Sequence, residues 1–157
     1  ITAASPVVWR RGILGMMKEI ILGTPKPQPR VKAVNRGKHA GVYTPPTADA
    51  WRDTLIDGLA RHAGKNIEGA FAVKLSFHIK RPKSQWRTGR FSHLLKDSAP
   101  EFCTCRSDID NLSKLVLDVL SKINYWVDDS QVTLLYATKA WADEIHDEGV
   151  TIETAVL

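Results

Sequence analysis

Phe71-Ala72-Val73-Lys74-Leu75-Ser76-Phe77-His78-Ile79 places an apolar side chain of some size at every second position. That period of two, carried from Ala70 to Lys80, predicts a strand with one buried face. Phe71, Val73, Leu75, Phe77 and Ile79 point inward, and Ala72, Lys74, Ser76, His78 and Lys80 point outward. Pro82 ends it. Downstream the period lengthens: Ile109, Leu112, Leu115, Val116, Val119, Leu120 and Ile123 recur at helical spacing, and Asn124 stops the helix. Trp126-Val127-Asp128-Asp129 reads as a turn into a strand from about Gln131 to Lys139. After the acidic connection Asp143 to Glu148, Gly149 opens a last alternating strand, Val150 to Val156.

Upstream, Thr47 is a candidate N-cap for a helix on which Trp51, Leu55, Leu59 and His62 share a face and which Gly64 can close. Before it, Thr24-Pro25-Lys26-Pro27-Gln28-Pro29-Arg30 alternates prolines and favours extended polyproline geometry. Arg30, Lys32, Arg36 and Lys38 follow in a basic, glycine-containing loop, and Glu19 to Leu22 reads as a short edge strand. The order β-α-β-α-β-β predicts one α+β domain, a mixed sheet with two main helices packed on one face. That domain is expected over residues 16–157. Residues 1–15 are expected to be an N-terminal extension, disordered or foreign to the native protein.

A chain of 157 residues fits one such core. Its 43% apolar and 25% charged residues argue against a wholly disordered chain, a collagenous one or a disulfide scaffold. No apolar run approaches the ~20 residues of a membrane helix. Cys103 and Cys105, the only cysteines, stand too close for a comfortable disulfide, which makes a reducing compartment the default. Charge is segregated. Residues 1–96 hold 18 Lys and Arg against 5 Asp and Glu, net +13, and residues 97–157 hold 4 against 12, net −8. The first part attracts anions and the second concentrates carboxylates. Within the basic part, residues 80–96 carry six Lys or Arg and no acid, with Trp86 and Phe91 interspersed, and read as a long mobile loop.

Arg106-Ser107-Asp108-Ile109-Asp110-Asn111-Leu112-Ser113-Lys114 carries the chemistry. Asp108 lies at the helix start, Asp110 in its first turn, and Lys114 and Asp118 follow on the face of Asp110. Asp128 and Asp129 lie about twenty residues downstream. Hard oxygen ligands from separate elements suit Mg²⁺, and a lysine on the same face can meet charge developing on a phosphate. Each part also has a plainer reading: Asp108 as an N-cap, Asp110 and Lys114 as an exposed pair, Asp128 and Asp129 as a turn. Asp129 reaches Asp108 and Asp110 only if its loop folds back over the helix. His93, Cys103 and Cys105 offer three zinc ligands without an evident fourth. Trp86 and Phe91 can stack on bases or buttress their loop.

Asp108-Ile109-Asp110-Asn111-Leu112 with Lys114, Leu117-Asp118 with Leu120, and Trp126 with Asp128-Asp129-Ser130-Gln131-Val132 and the later Lys139 resemble the RusA family of Holliday junction resolvases. Lys26 to Arg30 and Tyr43-Thr44-Pro45 before the Trp51 helix fit the same order, and the resemblance runs from about Lys18 to Val156. It implies a Mg²⁺-dependent endodeoxyribonuclease, with Mn²⁺ a possible substitute, that works as a homodimer and nicks two opposed strands of four-way junction DNA. It implies a phage or prophage origin and a bacterial cytoplasm, with no membrane and no small-molecule cofactor beyond the metal. The family's metal-holding acids fall on Asp108, Asp110 and Asp129, and its catalytic lysine on Lys114. Lys26, Arg30, Lys32, Arg36, Lys80, Arg81, Lys83, Arg87, Arg90 and Lys139 are then the expected DNA contacts. Ser107 stands where the family commonly has proline, which loosens the entry to Asp108. A non-catalytic DNA-binding module and a flap or single-strand nuclease are the competing readings.

Overall fold

The computed structural model describes residues 17–157; the expected extension over residues 1–15 lies outside them. The chain runs β1 (Met17–Leu22), β2 (Lys32–Arg36), β3 (His39–Tyr43), α1 (Asp49–Leu59), β4 (Phe71–Ile79), α2 (Ile109–Lys122), β5 (Val132–Trp141) and β6 (Gly149–Val156). Four strands form one sheet in the order β1-β6-β4-β5. β4 pairs parallel with β5 and antiparallel with β6, and β1 closes the other edge antiparallel to β6. The sheet is mixed, as expected, and the strand β4, the helix α2 and the strand β5 make a parallel crossover unit.

The alternation in β4 sets the core. Phe71, Val73, Leu75 and Phe77 are fully buried and meet Trp51, Leu55 and Leu59 of α1 and Leu112, Leu115, Val116, Val119 and Leu120 of α2. Ile109, counted with the apolar face of α2, is the first residue of the helix and is exposed on the open cleft beside β5. Asn124, at φ 56°, ends α2: the amide of Tyr125 bonds the carbonyl of Leu120 and that of Asn124 the carbonyl of Ser121, a Schellman closure. Trp126 follows directly into the core, its indole donating to Ser121 Oγ at 2.8 Å.

Two expectations change. The basic loop after Arg30 is a two-stranded hairpin, so the order is β-β-β-α-β-α-β-β. Gly37, at φ 65°, supplies the left-handed position that a two-residue turn with Lys38 requires. Every residue of this hairpin but Val34 is exposed. The helix expected to start from a Thr47 cap starts from Ala48 after a 3-10 turn over Pro46–Ala48. Pro46 at the head of that turn supplies a preset φ, so no side-chain cap is used.

Candidate active site

α2 begins beside the C-terminal ends of the parallel pair β4 and β5, the edge at which crossover units place their ligands. Asp108, Ile109 and Asp110 there line an open cleft with Ala137, Thr138 and Lys139 of β5. Asp108 holds the N-cap position, yet its carboxylate caps no helical amide. Only its carbonyl enters the helix, accepting from the amide of Leu112 at 3.0 Å. Asp110 is exposed in the first turn, and among the described ion pairs none joins it to Lys114. Both plainer readings of these acids therefore fail, and the two carboxylates remain available.

Neighbouring segments hold this arrangement. The proline-rich segment is anchored by the amide of Gln28 bonding the carbonyl of Asn111 at 2.9 Å, which brings an Arg30 guanidinium nitrogen 3.9 Å from Asp108 Oδ2. Asn111 Nδ2 lies 3.4 Å from the same oxygen. Lys139 Nζ donates to the carbonyls of Cys105 and Ser107, at 3.1 and 2.8 Å. It thereby fixes the backbone that delivers Asp108, a rigidity that Ser107 does not supply by itself.

Asp129 lies elsewhere. The 14 residues of α2 span ~21 Å, and Asp129 follows its far end, just ahead of the start of β5. Its acidic neighbour is Asp118. Burial raises the Asp118 carboxyl, Lys114 opposes the rise, the Asp129 charge adds to it and Arg52 opposes it. Among the described residues, no three His, Cys, Asp or Glu side chains are grouped to hold one ion. The loop does not fold over the helix within one chain, and His93 does not join Cys103 and Cys105. Those two cysteines are free thiols with sulfurs 3.5 Å apart.

The acid pair at the turn divides its work. The Ser130 side chain and then its amide, which Asp128 accepts at 2.8 Å, hold the Asp128 carboxyl below the usual range. Gln131 Oε1 accepts the amides of Val127 and Asp128, and its Nε2 donates to the carbonyls of Ile67 and Gly69. Asp128 and Gln131 thus brace the turn and leave Asp129 exposed.

The expected DNA contacts Lys26, Arg30, Lys32, Arg36, Lys80, Lys83, Arg87 and Arg90 are all exposed. Arg81 is half-buried, its guanidinium 5.0 Å over the Trp141 ring and bonded to Gln85 and the carbonyl of Pro100. The long basic stretch is folded: Trp86 bridges Leu95 antiparallel, the amide of Arg87 bonds Leu94 O and that of Lys96 bonds Gln85 O, each at 2.9 Å. Pairing of two short arms replaces the mobile loop expected from its polarity.

Residues 23–153 match the family described as endodeoxyribonuclease RusA. A crossover junction endodeoxyribonuclease RusA of Lactococcus phage r1t is 30% identical over 92 residues, 59% of this chain and 56% of that protein. The chain thus matches a little over half the length of this relative. The family match takes in the proline-rich segment, the cleft acids, the braced turn and Lys139. The chain belongs to the RusA endodeoxyribonuclease family.

Proposed function

We propose that this protein is a divalent-metal-dependent endonuclease that resolves four-way DNA junctions by paired symmetric nicks, as a homodimer in the cytoplasm of a bacterium carrying a phage or prophage. The observation that carries this reading is the cleft in which Asp108 and Asp110 stand unspent between Arg30 and Lys139. Two carboxylates of hard oxygen suit Mg²⁺, which is commonly held by one or two carboxylates and completed by waters and a substrate phosphate. When bound, such an ion supplies charge neutralisation at the phosphate and eases deprotonation of the attacking water. Asp108 and Asp110 would hold it. Lys114, exposed one turn beyond Asp110, presents an ammonium to the charge that builds on the phosphate. Arg30, with Lys26, Lys32, Arg36, Lys80, Lys83, Arg87 and Arg90, binds backbone phosphates, and Lys139 keeps Asp108 in place.

Two surfaces support the homodimer. β5 is an edge strand on which Leu134, Leu135 and Tyr136 are exposed on consecutive positions, so both of its faces carry bare apolar surface. The projecting β2–β3 hairpin is marginal alone and exposes Val42 and Tyr43. In a two-fold dimer joined antiparallel along β5, the start of one strand meets the end of the other. The partner's Asp129 then approaches Asp108 and Asp110, and the third acid arrives in trans.

A synthetic four-way junction with Mg²⁺ tests the activity. Paired nicks leaving 5′-phosphates are expected, and Asp110→Asn should bind the junction while cleaving at least ~100-fold more slowly. Binding without cleavage in both Mg²⁺ and Mn²⁺ would identify a DNA-binding module instead. Equal cutting of flaps and junctions would identify a less selective nuclease.

A further inference from the structure

The paired arms of the basic stretch border an open cavity of about 740 Å³ lined by Lys83, Trp86, Arg87, Thr88, Ser92 and His93. Its chemistry is consistent throughout: one half-buried indole, three side chains that carry or can take positive charge, two hydroxyls and no carboxylate. Arg87 is oriented by bonds to Leu95 O and Asp97, both at 3.0 Å, and remains 43% exposed. The arms leave the sheet at Ile79 and the chain returns from them to Asp108, with Arg81 clamping their base over Trp141. The cavity therefore belongs to a fixed structure that shares its root with the acidic cleft.

We propose that this cavity receives one unpaired nucleobase of a DNA substrate, stacked on Trp86, with the flanking phosphates on Lys83 and Arg87. The proposal rests on the reading of the chain as a DNA nuclease and adds to it a site for a nucleotide out of the stack. Its volume falls within the ~300–1,000 Å³ usual for small-ligand sites. An indole offers a π-face that any base can cover, and the cations match the phosphodiester on either side. A base inside continuous duplex has both faces covered by its neighbours and cannot meet Trp86. The cavity thus favours DNA with an unpaired nucleotide over a perfect duplex. Thr88, Ser92 and His93 offer hydrogen-bonding groups to the edge of the base.

Metal-free binding of the full chain to three DNAs tests this: a duplex with one bulged 2-aminopurine, the same duplex fully paired, and a single strand. Wild-type protein should quench the bulged fluorophore and bind that DNA more tightly than the paired one. Trp86→Ala should weaken binding to the bulged DNA by roughly 5- to 150-fold and leave the paired duplex within about threefold. Trp86→Phe keeps a ring and should recover most of the loss. Ser92→Leu crowds the cavity while leaving the Trp86 side chain unsubstituted and adds no ring that could stack, so it should weaken the quench as Trp86→Ala does, which guards against a folding defect in either variant. Wild-type binding of the bulged DNA by both variants, or an equal loss on the paired duplex, would overturn the proposal. Discrimination of the bulge by a protein that cuts no junction would sink the nuclease reading and leave the pocket standing. Junction cutting without that discrimination would sink the pocket alone.

Discussion

Asp128 and Asp129 are adjacent and chemically identical, and hydrogen bonding separates them: one accepts the amide of Ser130, the other is left to solvent. The same sorting frees Asp108 from its cap. Asp118 takes a third course, and its raised carboxyl makes a prediction. A group whose folded pKa lies above its unfolded value binds more protons when folded, so stability falls as pH rises through that interval. Charged Asp118 therefore weighs against folding at neutral pH. Asp118→Asn should raise the urea midpoint at pH 7 and give no gain below the ordinary carboxylate range. An equal gain at both pH values would place the effect outside the carboxylate. That Asp108 and Asp110 stand at the start of one helix, with Lys114 a turn beyond, was legible in the sequence because helical spacing is local. The brace made by Gln131 was not, since its partners Ile67 and Gly69 lie over sixty residues away.

At the scale of elements, β1 is held to the turn after α1 by one carboxylate. Glu19 accepts from Arg61 Nε at 2.7 Å and from His62 Nε2 at 2.6 Å. The Lys65 ammonium can only donate, so its 2.9 Å contact makes His62 Nδ1 an acceptor and Nε2 the donor to Glu19. Burial pushes the Glu19 carboxyl up, and the bonds from His62 and Arg61 more than reverse this, leaving it lowered. A depressed carboxyl contributes stability above its unfolded pKa and loses it as pH falls through the folded one. Glu19→Gln should cost about 1–3 kcal/mol at pH 7, with the gap to wild type closing in acid. An unchanged urea midpoint at pH 7 would mean that β1 docks without this latch. β4 and α2 were readable from periodicity because each buries one face. The β2–β3 hairpin buries neither, so only Gly37 signalled it.

For the whole molecule, the division of charge and the division of the acids are separate matters. The net +13 over residues 1–96 supplies the hairpin and the paired arms, while the acids behind the net −8 over residues 97–157 include Asp108 and Asp110 at one end of α2, Asp118, Asp128 and Asp129 towards the other, and the run Asp143 to Glu148 before β6. Helix length explains why Asp129 could not be placed from spacing alone: the same residues serve one chain or two. Mixed dimers separate the cases. Asp110→Asn and Asp129→Asn should each abolish cleavage. If the third acid comes from the partner, co-refolded heterodimers carry one intact site and should leave junctions with a single nick. If it acts within its own chain, the heterodimers stay inactive.

The paired arms occupy the interior of a parallel crossover, entering from Ile79 and leaving at Asp108. Their ends are pinned by the β4–β5 register and by Lys139, so the sheet has no means of sensing how long the intervening chain is. Closing a longer loop costs only ~0.6 kcal/mol per doubling. One scaffold can therefore carry arms of different length and surface while the β4–β5 pairing and the seat of Asp108 stay as they are.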